Sequence, residues 1–206
     1  MLTFALPKGR LAEKTLELLA KIGIECDITA DDRRLVVKDK SGEIAFIFVK
    51  PSDVPTYVER GAADIGAAGK DTLLEAGKDI YEMLDLKFGA CRLCIAGRKD
   101  NKNIITNHNL RVATKYVDIA KKYYAAKNTE VDIIKLNGSV ELAPLLDMAD
   151  VILDLVESGR TLKENNLFIL EEVCLISARL AVNKVSLKTK AAEIRPLLAK
   201  IQEVTK

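Results

Sequence analysis

The sequence predicts an α/β protein with mostly parallel sheets, and two observations support this prediction. Short apolar runs typical of strands alternate with segments whose apolar residues recur at helical spacing, along all 206 residues. Strands that alternate with helices are typical of βαβ units. The pattern also restarts after residue 86, which indicates a second segment with its own organisation.

The N-terminal part opens with an apolar run at 2–6 that ends at Pro7. A helix is predicted next from residues at helical spacing, namely Leu11, Thr15, Leu18, Leu19 and Ile22. Ser52 or Asp53 can cap a second helix that has Pro55 in its first turn, and a short helix follows residue 69. Further strands are predicted at 35–37, 44–49 and 63–67.

The second part repeats this organisation. Its predicted strands are 91–96, 111–113, 131–136, 151–155, 168–170, 173–176 and 179–182. A helix is predicted at 116–126, and another is capped by Ser139 with Glu141 in its first turn. A short helix at 161–166 and an amphipathic helix at 187–204, which contains Pro196, complete the pattern.

Composition argues against two broad classes of protein. The chain is 49% hydrophobic and 30% charged with a net charge of +2, so no global field favours nucleic acid or an anionic membrane. No apolar run approaches the roughly 20 residues of a membrane-spanning helix, and the N-terminus lacks the order of a signal peptide. We expect a cytoplasmic protein that binds neither nucleic acid nor membrane.

Cys91 and Cys94 form a C-x-x-C pair, for which a zinc or redox site is the alternative to buried strand thiols. Structural zinc needs four ligands, and the sequence offers no second pair and only one histidine, His108. The pair also lies inside a strand-like run rather than at the start of a helix. We therefore predict buried thiols and no metal site built from protein ligands.

The segment around the end of the run 151–155 carries the most specific chemical pattern in the chain. Asp154 is followed by a turn of candidate ligands, namely Glu157, Ser158, Gly159, Arg160 and Thr161. Carboxylates accept hydrogen bonds from sugar hydroxyls, whereas hydroxyl side chains and the backbone N–H groups at a helix start hold phosphate. The glycine permits close approach of the backbone. We predict a site for a phosphorylated sugar.

Cations near other strand ends are candidate anion contacts. Lys8 and Arg10 flank a glycine after the first strand, where they form an anion clamp or, alternatively, a solvated turn. Lys50 directly follows the strand 44–49. Ligands in open α/β sheets bind at the carboxyl ends of strands. Arg33 follows two aspartates, so an exposed cluster of ion pairs is the alternative there.

Six segments in order resemble a known family. They are 6–11 (Leu-Pro-Lys-Gly-Arg-Leu), 52–58, 61–66, 113–115, 138–144, and the stretch that runs from Glu141 and Ala149 through Asp154 to Leu162 with Asn165 and Leu167. This pattern is similar to that of the ATP phosphoribosyltransferases, in the short form that lacks a C-terminal regulatory domain. Asp147 departs from it where glycine is usual, and Lys50 where arginine is common. Lysine keeps the charge but loses the bidentate fork.

The resemblance implies a two-domain, periplasmic-binding-protein-like α/β fold of type II, in which each domain holds a mixed sheet flanked by helices and the active site lies between the domains. Domain I would comprise residues 1–86 plus 178–206. Domain II would comprise residues 87–177 and carry the turn that binds phosphoribosyl pyrophosphate.

The implied reaction transfers the 5-phosphoribosyl group of phosphoribosyl pyrophosphate to N1 of ATP. It gives phosphoribosyl-ATP and pyrophosphate, the first step of histidine biosynthesis. Ser158 to Thr161 would hold the 5′-phosphate, and Asp154, with Glu141 or Glu157, would orient the ribose hydroxyls. The pyrophosphate and the ATP phosphates would face Lys8, Arg10 and the two residues expected to be catalytic, Arg33 and Lys50.

The resemblance also implies a cofactor and partners. Mg²⁺ would bind mainly through the substrate. The catalytic chains would form homodimers and join a regulatory subunit resembling histidyl-tRNA synthetase in a hetero-octamer.

Three other functions compete with this one. A solute-binding protein of the same fold class is expected to carry an export signal or a lipid anchor. A Rossmann-like phosphoribosyltransferase typically has two adjacent acids after its apolar strand, whereas Asp154 is followed by Leu155. A structural subunit without activity would not need Lys8, Arg10 and Asp154 intact.

Overall fold

The computed structural model describes residues 1–27, 34–99 and 109–205. Arg33, one of the two residues predicted to be catalytic, and His108 lie outside the described residues. Contacts within the chain define two compact units: unit 1 comprises Met1–Gly89 and Ser177–Lys206, and unit 2 comprises Ala90–Ile176. The limits predicted from the sequence differ from these by three residues at the first crossing (86 against 89) and one at the second (177 against 176).

The strands are β1 (Leu2–Pro7), β2 (Val36–Lys38), β3 (Ile44–Val49), β4 (Ile65–Gly69), β5 (Tyr81–Asp85), β6 (Cys91–Gly97), β7 (Leu110–Thr114), β8 (Val131–Lys135), β9 (Val151–Val156), β10 (Phe168–Ile176) and β11 (Ala178–Val182). The helices are α1 (Arg10–Ala20), α2 (Val54–Glu59), α3 (Lys70–Ala76), α4 (Val117–Ala126), α5 (Leu142–Leu145), α6 (Arg160–Glu164), α7 (Lys184–Thr189) and α8 (Ala191–Val204). A 3-10 turn, Pro51–Asp53, precedes α2.

Unit 1 holds a six-stranded mixed sheet in the order β2-β3-β1-β4-β11-β5. β1 runs parallel to β3 and β4, whereas β11 is antiparallel to β4 and β5, and β2 is antiparallel to β3. The buried stripes of α1 and α8, which include Leu19 and Ile201, pack on one face against Phe4 and Leu6. The other face is covered by α2, so unit 1 has three layers.

Unit 2 holds a five-stranded mixed sheet in the order β10-β6-β9-β7-β8. β7 runs parallel to β8 and β9, and β6 is antiparallel to β9 and β10. One face packs against α4 through Ile119 and Tyr124. The other face is covered by residues of the α5 and α6 segments, among them Ala143 and Leu162.

Three local predictions from the sequence are wrong. The C-terminal helix predicted at 187–204 is two helices, α7 and α8, separated at Lys190. The runs 168–170 and 173–176 are one strand, β10, whose pairing with β6 shifts register at two points. Ser139 does not cap α5, because its backbone has a φ of +48°, and Glu141 occupies the capping position itself.

A buried carboxylate, Asp64, joins three parts of unit 1. It is 4% exposed and accepts hydrogen bonds from the Thr3 N–H (2.9 Å) and the Ser186 hydroxyl (2.6 Å). Both of its oxygens also accept from the Lys190 ammonium group, at 2.8 and 2.9 Å. Asp64 precedes β4, so these bonds tie β1 and the junction of α7 and α8 to one side chain. Desolvation opposes ionisation of Asp64, but the bonds from Lys190, Ser186 and Thr3 outweigh it and lower its pKa.

Asp147, which the resemblance marks as a departure from an expected glycine, follows α5 with a φ of +54°. This left-handed conformation costs a residue with a Cβ about 1–2 kcal/mol, and glycine avoids that cost. The Asp147 carboxylate also accepts from the Arg98 guanidinium at 3.0 Å, but the pair is exposed and stabilises little. The left-handed conformation therefore favours glycine over aspartate at this position.

We expect Asp147→Gly to raise the free energy of unfolding by up to about 1 kcal/mol, because relief of the left-handed conformation exceeds the loss of an exposed ion pair. Asp147→Ala should lower it, because alanine keeps the strain and lacks the local hydrogen bonding of aspartate. Urea denaturation of the three proteins measures this order. An alanine variant as stable as the glycine variant would contradict it.

Candidate active site

Asp154 lies near the carboxyl end of β9, on the sheet face that α5 and α6 cover. Side chains alternate along a strand, so Asp154 points to the same face as Ile152 and Val156. These two residues pack in one cluster with Val140 and Leu162, which come from the α5 and α6 segments. The structure thus brings together the predicted ribose carboxylate and the two segments that carry the other acids and the phosphate turn.

The turn between β9 and α6 has the conformation that its sequence predicts. Gly159 has a φ of +74° and occupies the N-cap position of α6. The Arg160 N–H donates to the Ser158 hydroxyl oxygen at 3.4 Å, and Ser158 and Thr161 are exposed. The first N–H groups of a helix have no partner within the helix. Two hydroxyl groups and the start of a helix are therefore presented on one short turn.

The two supporting acids differ in environment. Glu141 is half-buried and occupies the N-cap position of α5, next to the fully packed Val140 and Ala143. Glu157 is exposed at the start of the turn. The segment that carries Glu141 therefore covers the sheet face to which Asp154 points, whereas Glu157 lies next to Ser158 in the exposed turn.

Arg160, predicted to contact substrate, lies on the surface of α6. Its Nε donates to the Glu164 carboxylate at 2.7 Å, one helical turn away, and its side chain is 82% exposed. Such an exposed pair holds a side chain only weakly, at about 0.3–0.5 kcal/mol. Its guanidinium group can therefore exchange this partner for a phosphate.

Arg111 and Thr114, which the sequence did not single out as site residues, hold β9 in place. At the start of β9, Asp150 forms an ion pair with Arg111 of β7 at 2.7 Å, and the bonds from Arg111 lower the Asp150 pKa. Midway along β9, the buried Thr114 hydroxyl donates to the Leu153 carbonyl oxygen at 2.7 Å. The signal for Thr114 was its place in the segment 113–115 that resembles the family.

Lys8, Arg10 and Lys50 lie at one edge of the unit 1 sheet. β1 and β3 are parallel neighbours in which Pro7 pairs with Val49, so Lys8 and Lys50 follow directly from paired positions. The Lys8 N–H donates to the Val49 carbonyl oxygen at 3.2 Å. Arg10 is the first residue of α1, and all three cations are exposed. Besides Arg160, the sequence predicted four cations as anion contacts, and three of them are thus gathered at the carboxyl ends of adjacent strands.

The glycine between Lys8 and Arg10 has a φ of +97°, which favours glycine over any residue with a side chain. A groove of about 580 Å³ runs from this turn along α1. Lys8 lines the groove, whereas Arg10 and Lys50 are not among its described lining residues. The feature that brings Lys8, Arg10 and Lys50 together is therefore the carboxyl ends of β1 and β3 and not this groove.

The C-x-x-C pair lies within β6, as predicted. An offset of three residues along a strand places Cys91 and Cys94 on opposite faces, and they pack in different clusters. Cys94 is fully buried, and desolvation raises its pKa. Within residues 1–27, 34–99 and 109–205, no group of three or more His, Cys, Asp or Glu side chains could hold a metal ion.

Comparison with known proteins decides the family. Residues 50–203 match the family described as HisG: ATP phosphoribosyltransferase. The chain belongs to the ATP phosphoribosyltransferase family. An ATP phosphoribosyltransferase of Brachyspira hyodysenteriae is 53% identical over 206 residues, which cover 99% of this chain and 100% of that protein.

Solved structures agree with this family and with the fold. The ATP phosphoribosyl transferase (HisG:HisZ) complex from Thermotoga maritima contains a chain with 40% identity and a TM-score of 0.86, and the match covers 100% of this chain and 98% of that one. An ancestral amino-acid-binding protein, AncCDT-1, reaches a TM-score of 0.59 at 13% identity, covering 99% of this chain and 87% of that one. The second match shows the fold alone.

These comparisons confirm several predictions. The periplasmic-binding-protein-like fold with a mixed sheet in each part is confirmed, and so is the assignment to an ATP phosphoribosyltransferase, a transferase of histidine biosynthesis. No helix in the described part of the chain is long and apolar enough to cross a membrane. The roles of individual residues stay predictions.

Proposed function

We propose that this chain transfers the 5-phosphoribosyl group of phosphoribosyl pyrophosphate to N1 of ATP and releases pyrophosphate. The observation that carries the proposal is the carboxyl end of β9, where the Asp154 carboxylate shares a sheet face with the segments of Glu141 and of the Ser158–Thr161 turn. A carboxylate beside a hydroxyl-rich turn suits a ribose that carries a 5′-phosphate.

The turn at 158–161 holds the 5′-phosphate in this proposal. Its left-handed Gly159 lets the backbone turn sharply, so that the N–H groups at the start of α6 and the hydroxyl groups of Ser158 and Thr161 face the same phosphate. Arg160 adds a positive charge from the exposed side of the turn. Asp154 accepts hydrogen bonds from the ribose hydroxyls, supported by Glu141 or Glu157.

The cations of unit 1 bind the phosphates of the two substrates. Lys8, Arg10 and Lys50 lie together at the carboxyl ends of β1 and β3. Three positive charges held together are suited to stabilising the charge that develops on pyrophosphate. We propose Lys50 and Arg33 as the catalytic pair that stabilises the leaving pyrophosphate. Because Lys50 is a point charge, it lacks the bidentate geometry that arginine offers to a phosphate.

The chemistry needs little more than alignment and charge stabilisation. C1 of the ribose becomes cation-like as pyrophosphate leaves, and N1 of adenine attacks without loss of a proton, so no general base is required. Holding two substrates in an aligned geometry can supply several kcal/mol of the barrier reduction, about 7 or more in favourable cases. The Asp154 carboxylate, by fixing the ribose, contributes to that alignment.

We propose that Mg²⁺ binds together with the substrate. Asp154, Glu141 and Glu157 are not grouped as a metal-binding set in the described part of the chain. Magnesium commonly keeps several waters and binds through one or two carboxylates together with substrate phosphates. The donor set therefore fits a magnesium ion that pyrophosphate oxygens and water hold, and that neutralises phosphate charge. We also propose a cytoplasmic location for the enzyme.

One assay tests the proposed function. The purified chain is incubated with ATP, phosphoribosyl pyrophosphate and Mg²⁺, and formation of phosphoribosyl-ATP is followed by its near-ultraviolet absorbance and by mass. We expect both products, with turnover that a chelator abolishes. A chain that binds the substrates but forms no product would overturn the proposal and favour the solute-binding alternative.

We further propose that the chain forms homodimers and joins a regulatory subunit resembling histidyl-tRNA synthetase in a hetero-octamer. The similar Thermotoga maritima structure is a HisG:HisZ complex. The match spans nearly all of this chain and nearly all of the one chain of that complex to which it aligns. We expect the isolated chain to be poorly sensitive to histidine and to become sensitive when the regulatory subunit is added. Initial rates across a histidine titration measure this, and strong inhibition of the isolated chain would contradict it.

A further inference from the structure

Thr114 ends β7 with a side chain that is 0% exposed. Its hydroxyl group donates to the Leu153 carbonyl oxygen at 2.7 Å and accepts from the Tyr116 N–H at 2.8 Å. The first bond crosses from β7 to β9, and the second holds the residue that precedes α4. One buried hydroxyl group therefore joins two elements and uses both its donor and its acceptor capacity.

The carbonyl group that Thr114 holds belongs to the peptide unit that precedes Asp154. A peptide unit is planar, so a fixed Leu153 carbonyl also fixes the Asp154 N–H and the position of the Asp154 Cα atom, from which the side chain leaves the strand. The Thr114 carbonyl oxygen in turn accepts from the Leu136 N–H at 3.0 Å. Leu136 opens the connection from β8 toward Glu141, so the same residue supports both acid-bearing segments.

We infer that Thr114 is a positioning residue whose hydroxyl group orients Asp154 toward the ribose of phosphoribosyl pyrophosphate. The inference rests on the proposed function of Asp154. Because Thr114 is buried, it acts through the peptide unit before Asp154 rather than on the substrate. A buried threonine could also serve stability alone, and the two roles differ in which kinetic constants they change.

The test compares Thr114→Val, which keeps the shape and removes the hydroxyl group, with Thr114→Ser, which keeps the hydroxyl group. We expect Thr114→Val to lower kcat/KM for phosphoribosyl pyrophosphate about tenfold, since small misplacement of an aligned group is costly. The KM for ATP should not change, and Thr114→Ser should restore most of the loss. Calorimetric titration with phosphoribosyl pyrophosphate should show the same weakening without turnover.

Two controls separate positioning from stability. Ser186→Ala removes a buried hydroxyl group that donates to Asp64 in unit 1, so it lowers stability without touching β9. It should leave the KM for phosphoribosyl pyrophosphate unchanged. In a double-mutant cycle, Thr114→Val should add little to the loss caused by Asp154→Asn, because both act through one side chain. If the valine variant does not fold, Thr114→Ala is carried through the same cycle.

Three results would overturn the inference: parent-like kinetics in a folded Thr114→Val or Thr114→Ala variant, equal losses for both substrates, or full additivity with Asp154→Asn. A different result would contradict the proposed function. If the unaltered chain forms no phosphoribosyl-ATP, the proposed function is wrong. If the unaltered chain is active and Asp154→Asn impairs it while the Thr114 variants do not, only the role of Thr114 is wrong.

Discussion

Asp154→Asn lowers kcat/KM for phosphoribosyl pyrophosphate by about 10- to 160-fold, which corresponds to losing about 1.5–3 kcal/mol from one charge-assisted hydrogen bond. Asparagine keeps the shape of the side chain but replaces one acceptor oxygen with a donor and removes the charge. Asp154 is half-buried and lies two residues before the end of β9, close in sequence to the turn that leads into α6. The KM for ATP should not change.

The matched control is Asp132→Asn in β8, which alters an exposed aspartate in another strand of the same sheet. It should leave all kinetic constants near those of the unaltered chain. Steady-state kinetics with each substrate varied in turn measures both variants. If kcat/KM for phosphoribosyl pyrophosphate is unchanged in Asp154→Asn, the ribose assignment is wrong, whatever the control shows.

Asp64→Asn lowers the free energy of unfolding by about 3 kcal/mol, the lower end of the range for breaking a buried ion pair. The lower end applies because Asp64 is buried, whereas the Lys190 side chain is 36% exposed and regains some hydration when its partner is lost. The variant also weakens the bonds from Ser186 and Thr3, which join α7 and β1 to this side chain. Glu203→Gln, an exposed substitution in α8, should change stability little.

The contribution of Asp64 depends on pH in a defined direction. The pKa of Asp64 is lower in the folded state than in the unfolded state, so at a given pH the unfolded chain binds the proton more readily. The stabilisation is therefore fully present above the ordinary aspartate pKa and is lost as pH falls through the folded value. We expect the difference between the unaltered chain and Asp64→Asn to shrink from about pH 5 downward. Urea denaturation at several pH values measures it, and a constant difference would contradict the account.

Local patterns in the sequence predicted the elements that carry the candidate site. The strand before Asp154 and the Ser-Gly-x-Thr turn could be predicted because each depends on residues adjacent in the chain. The turn at Lys8 was likewise marked by Pro7 and Gly9. These predictions placed most candidate residues at strand ends, and the structure places Asp154, Lys8 and Lys50 there.

Tertiary contacts account for what the sequence could not predict. That Lys8 and Lys50 are neighbours depends on β1 and β3 pairing in parallel, which composition does not reveal. The predicted C-terminal helix is broken at Lys190, whose side chain bonds Asp64, more than a hundred residues away in the chain. The partner of the Thr114 hydroxyl likewise lies on a strand that follows much later in sequence.

The most direct test of the central claim is a crystal structure of the chain with phosphoribosyl pyrophosphate and Mg²⁺ bound. We predict the 5′-phosphate within hydrogen-bond distance of the Ser158 and Thr161 hydroxyl groups and of the N–H groups that begin α6. The ribose hydroxyls should contact Asp154, and the pyrophosphate should face away from this turn. A 5′-phosphate bound by Lys8 and Arg10, with the Ser158–Thr161 turn empty, would contradict the account.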